Sequence, residues 1–236
     1  MKNNNKFRLD VWGAITLATI ALYALFLLYP MAYLIRQSVM DPDTGGFTLA
    51  YFTKFFSKSY YFDTLINSFK VSITATVLSI AIGTPLAYLF TIFKIKGKGV
   101  LNILIVVASM SAPFIGAYSW ILLLGRSGVI TTFFKDLGIA IPDIYGFGGI
   151  VLVMTLQLFP LVFLYAKGAL KNIDNSLIEA AENLGCSGIA CFFKVVVPLI
   201  MPTLLAAALL VFMRSFADFG TPMLIGEGYR TFPVVL

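Results

Sequence analysis

Long apolar stretches alternate with short polar ones along this chain. Five of them approach or exceed the roughly 20 residues an α-helix needs to cross a hydrocarbon core: residues 11–34, 69–93, 101–124, 149–166 and 196–217. The pattern predicts an all-α, polytopic transmembrane bundle. In the second stretch Ala75, Ser79, Gly83 and Ala87 recur every four residues, which lines one helix face with small side chains. Such a face lets a neighbouring backbone approach closely, so a packing seam is the simpler reading and a substrate path the other. Pro30, Pro85, Pro113, Pro160 and Pro202 lie in or beside the spans and predict bends. Tyr51, Phe52, Phe55, Phe56, Tyr60, Tyr61 and Phe62, with Lys54 and Lys58 among them, fit a membrane interface or a helix lying on it.

Composition sharpens this picture. Apolar residues make up 59% of the chain and charged ones 12%, against about 25% charged in ordinary soluble domains. The net charge of +6 fits basic loops on one membrane side, with no basic patch that would ask for nucleic acid. Lys2, Lys6 and Arg8, then Lys94, Lys96 and Lys98, then Lys167, Lys171 and Lys194, fall on one side by parity. The basic residues of the other side are diluted by Asp41, Asp43, Asp63, Asp136, Asp143 and Glu227. That bias predicts a cytoplasmic N-terminus. The first apolar run is too long for a signal-peptide core and has no small-residue cleavage site, so it reads as a retained span.

Catalysis is not expected. The chain has no His, the commonest general base and metal ligand, and no nucleophile–base set is visible. Cys186 and Cys191 read as small apolar residues in a reducing compartment, without companions for a metal site. No Gly-rich phosphate loop occurs, so ATP would have to be bound by a separate subunit and no cofactor is implied. Arg214 and Asp218, four apart near the end of the fifth span, predict a mutual ion pair on one helix face, structural or gating, ahead of direct solute contact.

The fourth connection, about residues 167–198, carries the most information. Ser176 and Glu179 have capping-box spacing. A short helix should follow through Ala180 and Ala181, with Gly185 as a left-handed stop. Ile189, Phe192, Phe193 and Val196 predict a second amphipathic helix, and Pro198 the entry to the fifth span. Two short helices bent at Gly185 would then lie against the cytoplasmic face.

Glu179-Ala180-Ala181, three residues, Gly185, nine residues, Val195, one residue and Val197-Pro198 resemble the signature of binding-protein-dependent ABC importer permeases, with Val standing for the family's Ile and Leu. The resemblance implies a type I importer permease fold. It makes Glu179, Ala180, Ala181, Gly185 and Pro198 part of a coupling loop that docks on a cytoplasmic ATP-binding subunit. It further implies an extracytoplasmic solute-binding protein and a second permease half as partners, within lipid of a bacterial inner membrane. Asn67-Ser68 looks like the entry to the family's core domain, dividing the chain into residues 1–66 and 67–236. Gly125-Arg126-Ser127-Gly128, Ile144-Tyr145-Gly146-Phe147-Gly148-Gly149-Ile150 and Ala217-Asp218-Phe219-Gly220-Thr221-Pro222 are similar to the subgroup that carries ferric iron. Relatives of that subgroup carry aminoalkylphosphonates, polyamines or other small solutes. On this resemblance the chain is expected to be a first half cut before its sixth span. A secondary transporter or channel is the competing class. It would want ionisable groups at mid-membrane, where these spans have almost none.

Overall fold

The computed structural model describes residues 11–41, 45–93, 96–110, 112–139, 142–186 and 188–235. Lys2, Lys6, Arg8, Asp43 and Lys94, which carry part of the charge argument, lie outside them. Among the described residues there is no strand, only an isolated bridge between Met40 and Phe47. The helices fall into two compact units, 1–62 and 63–236.

The first unit holds α1 (Val11–Ser38) and α2 (Ala50–Ser57). Apolar side chains of α1 are exposed along its whole length, as a lipid-facing helix requires. Its Tyr29 N–H bonds to Ala24 O, five residues back, immediately before Pro30. The aromatic run forms α2 and the first turn of the next helix. Phe55 meets Phe56 edge-on at 5.2 Å and stacks on Tyr61 at 5.6 Å.

The second unit is built on three long helices: α3 (Ser59–Ile92, whose first turn precedes the unit boundary), α7 (Phe147–Lys171) and α9 (Gly188–Phe216). Between them come α4 (Lys98–Ser109), α5 (Pro113–Leu124), α6 (Val129–Asp136) and α8 (Asn175–Asn183). Two short helices follow α9: α10 (Gly220–Ile225) and α11 (Phe232–Val235). Phe192, Val196, Ile200, Leu204 and Val211 of α9 pack with Ala87 and Phe90 of α3 and with Val162, Phe163 and Ala166 of α7. A second core, toward the start of α7, joins Val71, Ala75, Ala117, Ile150, Met154 and Ile225.

The small-residue face of α3 is a packing seam. Ala75, Ser79 and Ala87 are fully buried. A Cβ on Gly83 would stand 2.8 Å from Val162 Cβ and 2.9 Å from Phe159 O, so α3 and α7 touch backbone to backbone there. Ser79 Oγ has no hydrogen-bond partner in the structure, so this residue serves by its small volume.

Among the described residues five helical stretches are long and apolar enough to cross a membrane, but the third is not the continuous 101–124 span that the apolar run predicts. That stretch divides into α4 and α5. Ala112 is extended (φ −67, ψ 142), as the residue before a proline prefers to be, and Pro113 opens the new helix. The two halves run in sequence along α7: Ile105 packs on one core and Ala117 on the other. The apolar stretch long enough to cross in this region is instead 114–136, formed by α5 and α6 in succession with a break at extended Gly125 and Gly128.

The fourth connection also differs from expectation. There is one short helix, α8, and the segment from Gly188 is already the fifth span. Phe192–Val196 is a wide turn in which Val197 N–H bonds to Phe192 O, directly before Pro198. Pro198 therefore sits inside α9 and does not begin it. A proline has no N–H to give and its ring collides with the carbonyl four residues back. A wide turn moves that carbonyl aside and lets the helix continue. The same device precedes Pro30. Of the expected amphipathic set, Phe192 and Val196 are buried, while Ile189 and Phe193 face outward.

Candidate functional site

α8 is the most defined surface element. It starts at Asn175, and the Ser176 N–H is received by Asp174 Oδ1 at 3.0 Å. The capping box expected at Ser176 and Glu179 is thus not the cap. Asp174, two residues before Ser176, takes that role, because a carboxylate both accepts the orphan N–H and complements the helix dipole. Hydrogen bonds from the Ser176 backbone, then from its side chain, hold the Asp174 carboxyl below its ordinary range. At the other end Gly185 adopts φ +84, and Cys186 N–H reaches Ala181 O at 3.0 Å. That six-to-one bond over a left-handed glycine is a Schellman stop. Ile178 packs against the core, which turns Glu179 and Ala180 outward, with Ala181 half-buried between. Beside them Leu184 and Ile189 are 89% and 77% exposed, a bare apolar rim.

A cavity of about 640 Å³ opens where the third span breaks. Ser109 and Phe114 flank the break and form one wall. Met154, Gln157 and Leu161 of α7 form another, and Arg214, Asp218 and Gly220 at the end of α9 close the third. The expected ion pair between Arg214 and Asp218 is not made. α9 ends at Phe216, so Asp218 has left the helix and the four-residue register no longer applies. Its Oδ1 instead accepts the Gly220 N–H at 2.9 Å. Both residues nevertheless face the same cavity. Gln157 was not singled out from sequence, although it is the one strongly polar side chain within residues 149–166.

The end of the bundle opposite α8 is fastened by Arg126. Its Nε donates to Asp143 at 2.9 Å and its Nη2 to Glu227 at 2.9 Å, while its guanidinium lies 4.8 Å from the centre of the Tyr145 ring. Gly146 N–H bonds to Ile225 O at 2.9 Å, and Asn67 Nδ2 donates to Arg230 O at 3.1 Å. Segments near 67, 126, 145 and 227 are thereby tied into one cap. Local sequence pattern marks most of these segments but carries no sign that Arg126 joins those at 143–145 and 227. Its partners lie 17 and 101 residues away, beyond any local periodicity.

Among the described residues no group of three or more His, Cys, Asp or Glu is placed to hold a metal ion. The arrangement offers a largely apolar opening between helices that carries Ser109, Gln157, Arg214 and Asp218, an anchored surface helix and a fastened far end.

Comparison with known proteins agrees with this geometry. The chain is 28% identical over 232 residues to the ferric transport system permease protein FbpB of Actinobacillus pleuropneumoniae, covering 97% of this chain and 33% of that one. It is 29% identical over 232 residues to the spermidine/putrescine transport system permease protein PotB of Haemophilus influenzae, covering 94% of this chain and 79% of that one. The chain thus spans about a third of the length of its ferric relatives. In fold it resembles a bacterial ABC transporter involved in the import of alginate, with a TM-score of 0.70 at 17% identity over 94% of this chain and 78% of that one. Residues 44–235, most of the chain, match the family described as the binding-protein-dependent transport system inner membrane component, and the chain belongs to that family.

Proposed function

We propose that this chain is a membrane-spanning subunit of an ATP-driven importer, driven through α8 by a separate ATPase. The observation that carries the reading is α8 itself. It is a helix capped at both ends, anchored by Ile178 and turned so that Glu179, Ala180 and the left-handed Gly185 face away from the core. Small residues at its surface would let a partner approach closely, and bare Leu184 and Ile189 supply apolar area for that partner to cover. The density of Lys and Arg supports a cytoplasmic setting for α8 and for the N-terminus. ATP hydrolysis belongs to the partner, and the chain moves solute without chemical change.

The cavity at the break between α4 and α5 is the proposed stretch of the solute path. An extracytoplasmic binding protein would deliver solute at the Arg126 end. A second permease half would complete the walls, forming the whole assembly with this one. Ferric iron is the proposed cargo, on the similarity of residues 125–128, 144–150 and 217–222 to the iron subgroup and on the ferric relatives. A polyamine cargo is the second reading, favoured by the match to most of the length of the spermidine/putrescine relative.

Two measurements test this. Co-purification with a cytoplasmic ATP-binding subunit of the importer should fail for Glu179→Lys and for Gly185→Trp while the membrane fold survives. Retained ATPase binding and transport in both variants would sink the coupling role. Uptake of ferric iron against spermidine, in vesicles holding the assembled importer, decides the cargo.

A further inference from the structure

At the α8 end of the bundle, α4 and α7 pack side by side and bring three lysines together. Lys167 Nζ donates to Asn102 Oδ1 across the helix pair and lies 5.3 Å from the centre of the Phe163 ring. Its position is therefore set by packing as well as by charge. The charged groups acting on it are Lys171 and Lys98, both of its own sign. Lys98 lies one turn before Asn102 on α4, and Lys171 one turn after Lys167 on α7, so each pair shares a helix face. Among the described residues no carboxylate pairs with any of the three lysines. Three lysines on adjoining faces of two packed helices, with no carboxylate partner among the described residues, make a site that a phosphate would neutralise.

We infer that this cluster binds the headgroup phosphate of an anionic phospholipid. Two features favour a lipid over free phosphate or a protein partner. Lys98 opens α4, and Lys167 and Lys171 lie in the last turn and a half of α7, a helix long and apolar enough to cross a membrane, so the cluster would stand at headgroup depth in a spanning chain. On the same faces, one turn toward the middle of each helix, Leu101 and Leu164 are bare, 41% and 36% exposed. A charged socket bordered by exposed leucines matches a phosphate with an acyl chain beneath it. A soluble anion would leave those leucines uncovered. The site is separate from the solute cavity and independent of which solute is carried.

Native mass spectrometry of the full chain in detergent tests this. It is supplied with phosphatidylglycerol, with phosphatidylethanolamine, or with phosphatidylglycerol against excess inorganic phosphate. Phosphatidylglycerol should be retained selectively and should not be displaced by phosphate. Lys171→Gln should weaken retention about five-fold, and Lys98→Gln with Lys167→Gln and Lys171→Gln on the order of a hundredfold. Lysine-to-arginine changes at the three positions should keep it, as should Lys54→Gln with Lys58→Gln and Lys70→Gln, which remove equal charge elsewhere. Retention by the triple variant at the parental level, equal retention of phosphatidylethanolamine, or displacement by phosphate would each overturn the assignment. Should the triple variant lose its helical circular dichroism, the single change at exposed Lys171 carries the test.

Discussion

At the scale of single residues, backbone conformation and hydrogen bonding decide what the coupling-loop residues do. Gly185 holds φ +84, yet a Cβ there would meet nothing within 4 Å. Gly185→Ala should therefore cost only the left-handed strain, about 1 kcal/mol, felt locally. Amide exchange at Leu184 and Cys186 should quicken while global stability barely moves. Asp174 titrates with a definite sign. Its folded carboxyl lies below its ordinary value because it accepts from Ser176. Its contribution to α8 is thus complete above about pH 4 and is lost as pH falls through the lower, folded value. Exchange at the Ser176 amide should rise on acidification into that range, and Asp174→Asn should flatten the dependence. Arg214 and Asp218 make no mutual bond, so a double-mutant cycle on transport with Arg214→Ala and Asp218→Ala should show little coupling. Asp218→Asn, which keeps the bond to Gly220, should be milder than Asp218→Ala. The left-handed stop at Gly185 was legible because glycine after a short amphipathic run has few other uses. The pairing of Arg214 with Asp218 was misread because spacing describes a helix only as far as the helix extends.

At the scale of elements, contact between helices governs. Gly83 faces Val162 Cβ and Phe159 O inside 3 Å. Gly83→Ala should cost about 1–3 kcal/mol through forced separation of α3 and α7, read as a lower unfolding midpoint in detergent. Gly168→Ala, inside α7 where a Cβ would meet nothing within 4 Å, should not lower that midpoint and should raise it slightly, since an unhindered helical Ala is favoured over Gly. The four-residue recurrence of small side chains announced this seam, because close approach is what small residues on one helix face permit. The division of residues 101–124 into two half-helices was harder to see. Apolar length runs unbroken through Met110 to Phe114, apart from Ser111 and Pro113, and hydropathy does not register backbone breaks. The prolines behave in three ways: Pro30 and Pro198 follow wide turns, Pro113 opens a helix, and Pro85, Pro160 and Pro202 sit inside helices. Sequence marked the places without distinguishing these outcomes, which depend on what surrounds each freed carbonyl.

At the scale of the whole molecule, the two ends of the bundle have different fastenings. The α8 end carries three lysines that have no carboxylate partner among the described residues. The opposite end is held by Arg126, which reaches Asp143, Glu227 and the Tyr145 ring at once. Arg126→Lys keeps the charge but cannot span both carboxylates with a planar fork. It should loosen the joint, measured as faster exchange of the Gly146 amide that bonds to Ile225 O. Added salt should produce part of the same loosening in the parent, since these side chains are open to solvent. If Arg126→Lys and high salt both leave Gly146 exchange unchanged, Arg126 does not hold that joint.

Sequence alone determined the all-α membrane architecture, the small-residue seam and the surface helix with its glycine stop, together with the family that its signature resembles. Each is written in local information: apolar length, periodicity, or residue types confined to particular backbone conformations. Tertiary structure decided where the third span breaks, that Asp218 serves Gly220 and not Arg214, that Gln157 faces a cavity, and that Arg126 joins two segments distant from its own. Those outcomes depend on which groups become neighbours after the chain has packed, and neighbours separated by up to 164 residues leave no periodic trace in a single sequence.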